Sequence, residues 1–153
     1  MNRRSSVLGT VAPFLLLLTA STAASTDEFR IYLGRDALGS EFFAEARSVR
    51  KNEPDTVVFR MKKIPSALAV QRSVAIQPTT AAKMTVADIA YEIAAVETDC
   101  LYRKYRILGY TSHAANGVEL AENRTPYAWM SVSPGDNDDT VFVSNPCRLF
   151  RNK

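Results

Sequence analysis

Cys100 and Cys147 are the only cysteines in this 153-residue chain, and what they can do depends on where the chain folds. The first 24 residues bear on that. Asn2-Arg3-Arg4 gives a positive start, Val7 to Ala20 is an apolar stretch around Leu15 to Leu18, and Ser21-Thr22-Ala23-Ala24-Ser25 consists of small side chains. This is the order of a secretory signal peptide, with cleavage expected after Ala23 or Ala24. Export leads to an oxidising compartment, where an even count of two cysteines reads as one disulfide. A Cys100–Cys147 bridge would close a loop of about 48 residues, and chain entropy makes it worth about 4 kcal/mol. That is a large share of the roughly 5 to 15 kcal/mol by which domains are stable. Metal or redox use is disfavoured, because there is no CxxC spacing and His113 is the only histidine.

The same leader decides how the charge is read. The chain carries 19 Lys plus Arg against 16 Asp plus Glu, a formal +3. Arg3 and Arg4 go with the leader and no acidic residue precedes Asp27, which leaves 17 against 16, or +1. Near neutrality removes the net-charge argument for nucleic acid, whose binding domains are usually strongly basic. The leader's apolar stretch, interrupted by Gly9, Thr10 and Pro13, falls short of the roughly 20 residues that cross a bilayer. No later segment is long and apolar enough to span one, and no cysteine follows the small residues as a lipid attachment point. Residues 1–24 are therefore expected to be a signal peptide, and residues 25–153 one domain. With 46% hydrophobic and 23% charged residues, the composition is that of a globular protein.

Along the mature chain, Phe29 to Gly34, Glu41 to Ala46 and Thr56 to Lys62 read as strands, with turn formers at Asp36, Gly39 and Ser40 and a charged connector from Arg47 to Asp55. Strands joined by turn-rich links predict an antiparallel meander. Residues 64–87, bracketed by Pro65 and Pro78, read as an irregular excursion in which Ala67 to Ile76 suits a short helix or a strand. Two extended segments follow, Ile89 to Thr98 and Leu101 to Thr111. Asn116-Gly117 predicts a type I′ hairpin with Val118 to Leu120 returning, and Tyr127 to Val132 a further strand ended by Ser133-Pro134-Gly135. The tail is ambiguous. Its acidic start, Asp136 to Asp139, favours a helix N-terminus, whereas Val141-Phe142-Val143 favours a strand by propensity.

Thr98-Asp99-Cys100, Arg103, Tyr105-Arg106-Ile107-Leu108, Asn116-Gly117, Trp129, Ser133-Pro134-Gly135 and Cys147, in that order, resemble the surface-adhesin protein E-like family of Gram-negative bacteria. The front half, Ile31 to Met61, resembles it through Gly39, Phe42, Phe43 and Ser48-Val49. The resemblance implies an α+β fold: a small antiparallel β-sheet of about six strands, with a C-terminal helix tethered by the one disulfide. It thus selects helix for the tail, against propensity. It also implies an exported binding protein, periplasmic, secreted or at the cell surface, whose partners would be host extracellular-matrix or serum proteins such as vitronectin and laminin. The chain departs from the family in lacking a lipidation cysteine and in residues 64–87, which have no counterpart. The alternative is a soluble periplasmic structural or envelope-assembly protein without a host ligand.

An enzyme is not expected. Nucleophilic catalysis needs a base within reach of a nucleophile and an orienting group, and His113 stands alone at a polar hairpin tip. Asp136, Asp138 and Asp139 lack the spacing and distal Glu of a calcium loop and read as capping residues in a solvated turn. No cofactor or metal is expected. The candidate partner-binding residues are Tyr102, Arg103, Lys104 and Arg106, a basic-aromatic run suited to macromolecular recognition. An edge strand could also support a homodimer.

Overall fold

The computed structural model describes residues 28–150, so the expected signal peptide lies outside the described residues. Eight strands form one antiparallel sheet: β1 (Phe29–Arg35), β2 (Glu41–Glu45), β3 (Arg50–Glu53), β4 (Thr56–Ile64), β5 (Tyr91–Asp99), β6 (Lys104–His113), β7 (Glu119–Asn123) and β8 (Met130–Ser131). Their order is β1-β2-β4-β5-β6-β7, with β3 beside the start of β4 and β8 beside the start of β6. The β4–β5 and β5–β6 pairs form the centre and carry the alternation that the sequence shows. The α+β class, the antiparallel sheet, the C-terminal helix and the Cys100–Cys147 disulfide are all present.

Local chemistry accounts for the differences from the sequence reading. Residues 64–87 are not irregular. Ile64 ends β4, and α1 (Ala67–Ala75) and α2 (Thr80–Ala87) follow. Each helix has a hydroxyl N-cap placed just after a proline: Ser66 accepts from the Ala69 N–H at 3.1 Å, and Thr79 from the Ala82 N–H at 3.2 Å. Such caps each contribute about 1 kcal/mol. The connector between β2 and β4 holds a 3-10 turn (Ala46–Ser48) and β3. The segment from Tyr127 to Val132 pairs as a strand only over Met130–Ser131, although the Tyr127 N–H donates to the Ile107 carbonyl at 2.8 Å and the Val132 N–H to the Arg103 carbonyl at 3.2 Å.

At the hairpin tip Gly117 has φ +83° but Asn116 is not left-handed, and Gly117 N–H donates to the Ala114 carbonyl at 2.9 Å. The hairpin is therefore a three-residue loop with glycine in the left-handed position, not type I′.

The tail is helical: α3 (Asn137–Asp139), a π-helical turn (Thr140–Ser144) and α4 (Asn145–Phe150) run consecutively. Strand propensity loses here because Val141, Phe142, Val143 and Phe150 are buried against one face of the sheet. Phe142 stacks on Tyr105 with centroids 4.2 Å apart and meets the Phe42 ring edge-on at 5.4 Å, while Phe150 lies 5.6 Å from Phe59. Aromatic pairs of this kind add about 0.5 to 1.5 kcal/mol each beyond area burial.

Pro146 has no N–H to offer the carbonyl four residues back, which is that of Phe142. The buried Thr98 hydroxyl, from β5, donates to that carbonyl at 2.6 Å. Thr98→Val, nearly isosteric, removes this donor inside the core. It is expected to cost about 1 to 3 kcal/mol, measurable by urea denaturation; a variant as stable as the parent would show that the contact contributes nothing.

Candidate functional site

The C-terminal helix covers one face of the sheet and leaves the other open. Alternation along β6 sorts the candidate residues between the two. Tyr105 points into the core, whereas Lys104 and Arg106 stand on the open face. Tyr102 and Arg103 are not on the strand at all. The Asp99 carboxylate accepts from the N–H groups of Leu101 and Tyr102 at 3.0 and 2.9 Å, making a turn that delays the start of β6 to Lys104.

Arg103 separates from the others. Its φ is +49°, the only positive value at a non-glycine among the described residues. Its guanidinium reaches the covered side, donating to Asp139 in α3 and to the Ser144 hydroxyl at 3.2 Å. The Asp139 side chain is 3% exposed and also accepts from Ser144 at 2.8 Å. Arg103 thus clasps the helix onto the β5–β6 turn, next to the disulfide, and is not part of an open surface.

The remaining three gather around a residue that was not among the candidate partner-binding residues. Trp129, just before β8, lies with its ring 4.8 Å from the Lys104 ammonium and 4.7 Å from the Arg106 guanidinium, and Lys104 also stands 5.2 Å from the Tyr102 ring. Both rings are accessible, Trp129 at 37% and Tyr102 at 70%. The cations are largely neutralised within the chain. Arg106 donates to Glu97 at 2.6 Å, Glu97 also accepts from Asn52 at 3.2 Å, and Lys104 lies 3.6 Å from Asp99. The geometry is an aromatic platform held by paired cations. The signal for Trp129 was available: the only tryptophan in the chain lies in a segment that returns along β6.

Other candidates fall elsewhere. His113 ends β6 rather than sitting free in the turn; its ring stacks on Tyr91 at 4.8 Å and is hydrogen-bonded to Thr111 at 2.8 Å. The three aspartates do not make one solvated turn. Asp136 is the N-cap, Asp139 is buried, and the Asp138 carboxyl is pushed above the usual range by burial and by Asp36 and Asp136, with Lys63 opposing. A carboxyl whose pKa is higher in the folded protein destabilises it when ionised, so that penalty is present at neutral pH and fades as pH falls through the Asp138 titration. Asp138→Asn should therefore raise the melting temperature at pH 7, the gain vanishing at acidic pH. A gain that persisted at low pH would assign it to something other than charge. Among the described residues, no group of three or more His, Cys, Asp or Glu could hold a metal ion, and no helix is long and apolar enough to cross a membrane.

No family model and no curated protein matches the chain. Among solved structures it is similar to Haemophilus influenzae protein E. The selenomethionine form matches with a TM-score of 0.48 and 12% identity over 78% of this chain and 88% of that one. A second structure of the same protein matches with a TM-score of 0.47 and 13% identity over 80% and 86%.

Proposed function

We propose that this chain is an exported, non-enzymatic binding protein that recognises a host matrix or serum protein, such as laminin or vitronectin, on the open sheet face around Trp129. The observation that carries the reading is the exposed Trp129 ring held between Lys104 and Arg106 with Tyr102 alongside. Tryptophan, tyrosine and arginine dominate binding hot spots because they bury large rigid surfaces at low entropy cost. Internal pairing of the cations makes the contact chiefly aromatic, with a shallow dependence on salt. Arg103, committed to Asp139, takes no direct part.

Binding to immobilised laminin and vitronectin tests the proposal, together with labelling of the protein on intact cells. Trp129→Ala should weaken binding at least about tenfold, the scale of a hot-spot residue, and Lys104→Glu should weaken it less. Equal binding by Trp129→Ala and the parent would sink the assignment of this surface. A protein that intact cells shield from labelling would sink host recognition itself.

A further inference from the structure

The opposite face of the sheet holds a second feature, unrelated to the Trp129 platform. Where the first turn of the C-terminal helix leaves β4, β5 and β6, a cleft of about 380 Å³ opens to solvent. This is at the lower end of the roughly 300 to 1,000 Å³ of small-molecule sites, which typically combine an apolar lining with a few convergent polar groups. The lining here divides in that way. Phe42, Met61, Ala94, Ile107 and Phe142 make an apolar floor, continuous with the core. Tyr110 and Tyr127, their rings parallel with centroids 6.5 Å apart, form one wall.

The charged groups at the rim decide the sign of a ligand. Lys63 and Glu92 face each other across the β4–β5 pair at 3.4 Å and offset one another. Two further carboxylates, Asp36 and Asp138, also line the cleft, so that with Glu92 three carboxylates face Lys63, the one cation of the lining. One oxygen of Asp36 is occupied by the Leu38 and Ser40 N–H groups at 3.0 and 2.9 Å, which fixes that carboxylate in place. Asp138 is exposed, yet its pKa is held above the ordinary value by partial desolvation first and then by Asp36 and Asp136, with Lys63 opposing. An anionic ligand would add to this repulsion. A neutral one would leave it unrelieved, and a cation would both relieve it and find aromatic faces to lie against.

We propose that this cleft binds a small organic cation with an apolar body, an alkyl- or arylalkylammonium, its head between Asp36 and Asp138 and its body on the floor formed by Phe42, Met61 and Phe142. The limited volume favours a single ring or a short chain over an extended lipid.

Isothermal titration of the mature protein with phenethylamine, 2-phenylethanol and phenylacetate at neutral pH tests it, since the three differ mainly in head-group charge. Phenethylamine should bind with a Kd of about 1 mM or tighter, a modest value for so small a ligand. It should bind at least about tenfold more tightly than 2-phenylethanol, and phenylacetate should bind worst. Asp138→Asn, which is expected to fold at least as well as the parent, should abolish most of the preference for the amine while leaving 2-phenylethanol unchanged. Trp129→Ala should leave all three affinities unchanged, so the cleft and the platform fail or succeed separately. No measurable phenethylamine binding would overturn the proposal. So would an alcohol or carboxylate binding as tightly as the amine, or an amine preference that survives in Asp138→Asn.

Discussion

Replacing Cys100 and Cys147 together by serine is expected to lower the stability of the folded domain by about 4 kcal/mol, the chain entropy released when a loop of this length is opened. For a domain of this size that is a fall in melting temperature of about 10 to 20 °C. The bridge joins the end of β5 to α4 across 47 residues, with Cα atoms 5.7 Å apart. It therefore spans β6, β7, β8 and most of the tail, which in the open chain would be free to separate from the sheet. The folded state keeps other attachments after the bridge is lost. Thr98 still holds the Phe142 carbonyl, Asn145 donates to the Leu33 carbonyl at 2.5 Å, and the Phe59–Phe150 contact remains. The double variant should therefore show native near-ultraviolet circular dichroism at low temperature and melt early. A melting temperature within a few degrees of the parent would mean that the open loop is already restrained by those contacts.

Arg103→Ala is expected to cost about 3 kcal/mol, because it strands the buried Asp139 carboxylate without its cation. The effect has two separable parts. The first is the charge: Asp139 retains only the Ser144 hydroxyl at 2.8 Å and the Gly135 N–H at 3.4 Å, so the further change Asp139→Asn should recover part of the loss. The second is the backbone. Arg103 has φ +49°, a conformation that costs a residue with a Cβ about 1 kcal/mol and glycine almost nothing. Arg103→Gly should accordingly be about 1 kcal/mol less destabilising than Arg103→Ala, although it removes the same guanidinium. Urea denaturation of the four proteins resolves the parts. Equal stabilities for the Ala and Gly variants would remove the backbone contribution, and no recovery in the double variant would remove the electrostatic one.

Much of the framework is legible in residue order because it depends on nearest neighbours. β-branched and aromatic alternation marks β4, β5 and β6, and Asn116-Gly117 marks the β6–β7 hairpin, although the glycine alone takes the left-handed position. Helices α1 and α2 were also locally encoded, in Ser66 and Thr79 directly after Pro65 and Pro78. That cap signal is weak beside the small and polar composition around it. Two helices that bury only Ala69 between them carry little apolar periodicity to reveal them.

The candidate site shows the boundary more sharply. Composition and spacing drew attention to Tyr102, Arg103, Lys104 and Arg106 as one basic-aromatic run, but a strand sends neighbours to opposite faces, and the Asp99 turn moves its start. Lys104 and Arg106 end beside Trp129, whereas Arg103 ends beside Asp139. By itself the sequence determined the principal strands and the fact that Cys100 had one available partner. Only the tertiary structure decided that Val141-Phe142-Val143 is helical, that one arginine of the run is a clasp, and that the platform centres on Trp129. Those outcomes rest on burial against residues distant in sequence, a free-energy term larger than the local propensity that opposes it and absent from any short window of the chain.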